Sequence, residues 1–223
     1  MATTIIVSYD GTDNDRDALA LGKVLGTAGA KVALAYVRHA QEEKSSRERL
    51  AERDAQALLD AGASALDGAA ASTHVVMSGS TPNGLRDLAG KIGAGAIVFG
   101  SEYRTARGHV DPQASARRLL DGGPIAVALA PAGFADASEF KLGSIGAAGE
   151  DGDPCVLETA ESISAKLGGE IAPRATANVD LMIVGSKPGT VNGRVRISAA
   201  AEYLIELSRC PVLVLPRGVA VDF

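Results

Sequence analysis

The sequence predicts an α/β fold in which a parallel sheet, covered by helices on both faces, is built once in full and then again in shortened form. Two observations predict it. Short apolar runs alternate with helix-spaced patterns, as βαβ units require, and the ending of that unit occurs twice at nearly constant spacing. With 46% hydrophobic and 22% charged residues in 223, the chain can bury one full core and part of another, so a disordered class is excluded. Aromatic residues make up 4% and Trp is absent, so the core must be aliphatic and closely packed.

The strand candidates are Ile5 to Tyr9, Val32 to Val37, His74 to Met77, Ala96 to Phe99 and Ile125 to Ala130. Between the first two, Ala18, Leu21 and Leu25 recur at helical spacing, with Asp13 or Asp15 as the capping residue. Residues 42–66 read as the second helix, charged from Glu42 to Arg53 on a solvated face, with Leu50, Leu58 and Leu59 on the other. After Ser80-Thr81-Pro82, where proline suits a first helical turn, Leu85, Leu88 and Ile92 predict the third.

The end of this unit then returns. Ile97-Val98-Phe99-Gly100-Ser101 is echoed by Met182-Ile183-Val184-Gly185-Ser186, and Pro124-Ile125-Ala126-Val127 is echoed by Pro211-Val212-Leu213-Val214. The step from Gly100 to Gly185 and the step from Pro124 to Pro211 agree to within two positions. Asp10-Gly11-Thr12 is echoed more faintly by Asp151-Gly152-Asp153, across a much longer step. The second copy therefore lacks roughly 55 residues between its second and fourth strands. Its first helix survives in Val156, Ala160, Ile163 and Leu167 behind Asp153-Pro154, and Pro131 to Ser138 reads as the linker. These boundaries divide the chain into 1–133 and 139–223.

A net charge of -5 excludes the basic footprint of a nucleic-acid or anionic-membrane binder. Met1 to Thr4 runs directly into Ile5-Ile6-Val7 without the pattern of a signal peptide, and no apolar run reaches spanning length, so a cytoplasmic address is expected. Cys155 and Cys210, far apart and without a nearby His, support neither a disulfide framework nor a zinc site. Cys210 precedes a buried strand and reads as a small core residue.

At Ile5 to Thr12, at Ala96 to Ser101, and at Val179 to Ser186, Ala201 to Leu204 and Cys210 to Val214, the chain resembles the universal stress protein family in a tandem form. The resemblance implies a doubly wound sheet of order 3-2-1-4-5, of the adenine nucleotide alpha hydrolase-like (HUP) type. It also implies an intramolecular pseudo-dimer through the fifth strands, Ile125 to Ala130 against Val212 to Leu215. Pairing of two chains into a homodimer stays open. In such a sheet the order reverses between strands 1 and 4, and ligands bind at their carboxyl ends.

Nucleotide-binding members carry G-x2-G-x9-G-(S/T) after strand 4, where glycines let backbone N–H groups approach phosphates. In the first copy Gly100 matches, followed by Ser101, Tyr103 stands at the second glycine, Gln113-Ala114 stand where Gly-Ser is expected, and Ser115 is the nearest hydroxyl to the last position. In the second, Gly185 matches, followed by Ser186, Pro188 takes the second glycine's place with Gly189 beside it, and Ser198-Ala199 replaces Gly-Ser. The resemblance also implies Asp10, Gly11 and Val37 around an adenosine. An ATP or AMP site, weakened or lost, is therefore expected in the first copy.

Other readings stand beside these. Asp10 contacts adenosine or caps a turn; Ser198 binds phosphate or, more simply, caps the last helix. Arg104, Arg107, Arg117 and Arg118 replace lost glycines as phosphate ligands, or line a solvated loop in which His109 is also exposed. No catalytic triad is visible. Three function classes follow: a nucleotide-binding stress protein, an adaptor binding no small molecule, and a nucleotide-dependent hydrolase, for which Asp10 is the available metal-binding carboxylate.

Overall fold

The computed structural model describes residues 2–39, 45–66, 71–137, 140–172 and 178–223. Of the segments discussed above, Glu42 to Lys44 and Ser138 lie outside these, as do the side chains of Leu50 and its neighbours. The first half runs β1 (Thr4–Ser8), α1 (Asp13–Thr27), β2 (Lys31–His39), α2 (Ser45–Ser64), β3 (Ala71–Ser78), α3 (Thr81–Ile92), β4 (Ala94–Gly100), α4 (Ala114–Leu120) and β5 (Ala126–Ala130). The second runs β6 (Ser144–Ala148), α5 (Cys155–Leu167), β7 (Glu170–Ile171), β8 (Leu181–Val184), α6 (Ala199–Leu207) and β9 (Val212–Val214).

Among the described residues the strands form one nine-stranded sheet of order β3-β2-β1-β4-β5-β9-β8-β6-β7. All neighbours are parallel except β5 and β9, which pair antiparallel with Val127 opposite Val214 and Leu129 opposite Val212. Each set of parallel strands is thus turned against the other at this central seam. Both seam strands are buried along their length, so their side chains read as continuous apolar runs rather than alternating ones.

Helices cover both faces. Leu21 and Leu25 of α1, Leu59 of α2 and Ile163 of α5 lie in one core cluster; Leu85 of α3, Leu119 of α4 and Ile205 of α6 lie in the other. Helices on both faces make the sheet doubly wound, with the order reversing between β1 and β4. The segment from β7 to β8 is too short for further βα units, and β6 pairs with β8, Ile145 opposite Leu181, as β1 pairs with β4.

Local choices follow the chain's chemistry. Pro82 lies in the first turn of α3, and Gly93 closes that helix at φ +66°, a left-handed position that glycine adopts without strain. The N-cap of α1 is Thr12 rather than Asp13 or Asp15, and its side chain makes no capping bond; Asp15 instead turns back on the preceding loop. The segment after β5, expected to be a linker, is docked onto α1: Asp17, itself buried, accepts the N–H groups of Gly133 and Ala135, each at 2.8 Å. No helix among the described residues is long and apolar enough to cross a membrane.

Candidate functional site

The order reversal places the β1–α1 turn and the loop after β4 on one rim. Asp10 is exposed there, and its Oδ1 accepts Thr12 N–H at 3.1 Å, an Asx turn. Asp15, 5% exposed, accepts Asp10 N–H at 2.5 Å and Gly11 N–H at 2.9 Å. Burial, reinforced by the Asp10 side chain, pushes the Asp15 carboxyl up to about 7. Gly11 has φ +81°, and a Cβ there would stand 2.4 Å from Leu58 Cδ1, so α2 lies directly over the turn.

Val37, 9% exposed, packs under α3, its Cγ1 2.9 Å from where a Cβ on Gly84 would be. Gly100 approaches the first turn of α1 so closely that a Cβ would stand 2.1 Å from the Asn14 carbonyl oxygen. Ser115 is half-buried in the first turn of α4. Asp10, Gly11 and Gly100 therefore share the rim around the start of α1. Tyr103 is 66% exposed with Arg104 over its ring at 5.0 Å. Arg107 pairs with Asp136 at 2.9 Å and Arg117 with Asp111, so two of the four candidate arginines are engaged by acids. His109 Nδ1 accepts from Arg209 at 2.6 Å; a guanidinium only donates, which fixes the proton of a neutral imidazole on Nε2.

Ser101 is buried, and its hydroxyl donates to Ala130 O at 2.7 Å and accepts Asp111 N–H at 3.2 Å. It ties the end of β4, the loop and the end of β5 together. Ser186 repeats this, donating to Leu215 O at 2.7 Å and accepting Arg196 N–H at 3.1 Å. The surrounding frame recurs as well. Gly108 N–H to Ala132 O at 2.7 Å is matched by Gly193 N–H to Arg217 O at 2.8 Å, and Glu102 N–H to Asp111 O at 2.8 Å by Lys187 N–H to Arg196 O at 2.7 Å. Every donor and acceptor is displaced from its counterpart by the same step that separates Gly185 from Gly100. Among the described residues, even the two buried hydroxyls without a partner, Thr105 Oγ1 and Thr190 Oγ1, are equivalent. The paired glycines Gly108 and Gly193, both at positive φ, were the sequence signal for this frame. Replacing Ser101 or Ser186 with alanine strands a buried carbonyl and an N–H, and each is expected to lower stability by about 1–3 kcal/mol in urea unfolding.

The second half fills its own rim. Gly185 lies against α5, where a Cβ would stand 2.8 Å from Val156 Cγ2. Ser198 caps α6, accepting Ala201 N–H at 3.1 Å, and donates to Glu150 Oε1. Arg217 spans the gap, donating to Glu150 O at 3.1 Å and pairing with Asp153 at 3.4 Å. Burial alone would raise the Asp153 carboxyl, but hydrogen bonds from Cys155 and Gly218, together with Arg217, outweigh it and hold the group below its ordinary range. Burial pushes the Cys155 thiol up to about 11 and the Cys210 thiol up to about 12, so both stay protonated. Gly189, at φ +75°, is open to solvent with nothing near it.

No family model and no curated protein matches the sequence. Solved structures do match. A universal stress protein of Archaeoglobus fulgidus DSM 4304 superposes with a TM-score of 0.68 at 16% identity, over 96% of this chain and 98% of its own. The chain has the universal stress protein fold. A Pseudomonas aeruginosa UCBPP-PA14 structure assigned to the universal stress proteins agrees, with a TM-score of 0.63 at 13% identity over 97% of this chain and 94% of that one. So does a functionally unknown protein of Pseudomonas aeruginosa PAO1, at 0.66 and 13% over 97% and 93%. Because these likenesses cover nearly the whole chain, the universal stress protein fold here includes the strands on both sides of the seam.

Proposed function

We propose that this chain is a tandem universal stress protein that acts as a binding module, with a weakened ATP or AMP site in the first half, residues 1–133. The shortened second half, residues 139–223, serves as its intramolecular partner. The carrying observation is the hydrogen-bond frame that recurs at one constant step along the chain, on both sides of an antiparallel β5–β9 seam. Two copies of one unit turned about a two-fold axis account for both facts.

Within this reading the nucleotide belongs to the first half. Asp10 is exposed beside Gly11 and Gly100 on the rim where a doubly wound sheet takes its ligands, and Ser115 lies at the opening of α4. In the second half Glu150 holds Ser198, and its carboxylate repels a phosphate at that position. The site is weak because Tyr103 replaces a phosphate-approaching glycine and because Ser101, like Ser186 in the second half, spends its hydroxyl on the chain itself. Those engaged hydroxyls also favour the second reading, an adaptor that binds no nucleotide.

Titration with ATP and AMP, with and without Mg2+, tests the choice. The expected result is saturable binding in the micromolar to millimolar range that Asp10→Ala weakens at least about tenfold, or about 1.4 kcal/mol. Ser198→Ala leaves it unchanged. Absence of saturation at millimolar nucleotide would leave the adaptor reading in its place, and nucleotide turnover would require the hydrolase.

A further inference from the structure

The largest cavity among those described is not at the rim of β1 and β4. It is a cleft of about 850 Å³ at the seam, between α4 with the loop after β4 on one side and α6 with the loop after β8 on the other. That volume is in the range of small-molecule sites, which often form where two structural units meet. Val110, Leu120 and Ile205, each less than 5% exposed, form an apolar floor. Neither half encloses the cleft alone.

Its charges are sorted. Eight ionic residues line it, four of each sign: Arg104, Arg117, Lys187 and Arg196 against Asp111, Asp121, Glu202 and Glu206. Two internal pairs, Arg117 with Asp111 and Arg196 with Asp121, use half of them. Of the rest, the cations Arg104 and Lys187 stand on the two loops, and the acids Glu202 and Glu206 both stand on α6, one turn apart. A cavity with no net charge, its spare cations on two loops and its spare acids on one helix, repels a simple anion or cation from part of its lining and matches a molecule carrying both charges. Thr105 Oγ1, buried without a partner, borders the same cleft. Its twin Thr190 repeats the orphan away from the cleft, so the ionic pattern is the weightier observation.

We propose that the seam cleft binds a small zwitterion with an apolar body, its carboxylate toward Arg104 and Lys187 and its ammonium toward Glu202 and Glu206. The site is separate from the nucleotide rim and stands whether or not that rim binds ATP.

Three indole probes of similar size separate the possibilities: L-tryptophan carries both charges, tryptamine only the cation and indole-3-acetate only the anion. The protein contains no Trp, so in ligand-observed NMR every indole signal belongs to the probe. L-tryptophan is expected to bind the full chain saturably and at least about fivefold more tightly than either analogue. Lys187→Glu should weaken it about tenfold. Glu202→Gln, on α6, should remove its advantage over indole-3-acetate. Ala106→Phe, an exposed lining position, should block all three, whereas Asp10→Ala should block none. Circular dichroism of each variant confirms folding before titration. Equal affinity for the three probes, saturation by none of them, or binding that survives Ala106→Phe would each overturn the proposal.

Discussion

Gly100→Ala is expected to destabilise the protein by at least about 3 kcal/mol, whereas Gly185→Ala, at the equivalent strand end, costs about 1 kcal/mol. The difference lies in what the new methyl meets. At Gly100 it would stand 2.1 Å from the Asn14 carbonyl oxygen and 2.8 Å from its carbonyl carbon, backbone atoms held by the first turn of α1. At Gly185 it would stand 2.8 Å from a single side-chain methyl, Val156 Cγ2, which can rotate or shift by a few tenths of an ångström. For α1 to yield at Gly100, Asp15 must leave the N–H groups of Asp10 and Gly11, and the opposing Asp10 turn moves too. Chemical unfolding of the two variants measures the contrast. Equal costs would show that α1 does not rest on β4 as described.

The second large effect is a pH dependence centred on Asp15. Its folded carboxyl is raised from 3.8 to about 7, first by burial and then by the Asp10 side chain. A carboxyl raised on folding favours the protonated form. Its contribution is fully present below the unfolded value near 4 and is lost as pH rises toward and through 7. About three pH units of displacement correspond to as much as about 4 kcal/mol. Asp15→Asn keeps an oxygen to accept the two N–H groups without the charge. The expected outcome is that wild-type stability falls between pH 4 and 8 while the Asn variant stays nearly level, the two curves diverging as pH rises. Asp153 acts in the opposite sense, because its carboxyl is held low and loses its contribution only below about pH 4. Comparing the variants above pH 5 therefore isolates Asp15. Parallel curves would mean that Asp15 is charged in the folded state throughout.

The apolar runs were the legible part of the fold. Ile5 to Tyr9, Val32 to Val37, Ala96 to Phe99 and Ile125 to Ala130 each fall on a strand within a residue or two, because a strand buried on both faces must be apolar throughout. β6 was not legible. Its sequence, Ser144 to Ala148, is nearly all small residues, and at Gly146 the missing side-chain volume is supplied by Met182, whose sulfur comes within 3.0 Å of the Cβ position. β7, two residues long, carries no pattern at all.

At the candidate site the division is similar. Ser198 announced itself as a helix cap by standing before an apolar helix, and it is one. The Gly-Ser pairs were visible as a repeat, but nothing local told whether a serine hydroxyl faces outward or turns in to a carbonyl 29 residues away. Asp15 read as a candidate helix cap. Its backward reach depends on the tight turn at Gly11 and on Leu58 lying over it, neither of which is encoded within the helix itself. Arg217 stood unremarked in the tail because its partners, Glu150 and Asp153, lie far earlier in the chain, on the other side of α5 and β8.

The antiparallel join of β5 to β9 has a consequence for synthesis. On the ribosome β5 is complete at Ala130, yet the strand that covers its outer edge begins only at Val212, after everything from β6 to α6 has been made. At roughly 5–20 residues per second that stretch takes on the order of ten seconds, during which the edge Ala-Val-Ala-Leu-Ala lacks the strand that covers it. In that interval the nascent chain is open to strand capture by a neighbour, so growth temperature and the supply of holding chaperones should govern soluble yield more strongly than the stability of the finished molecule does.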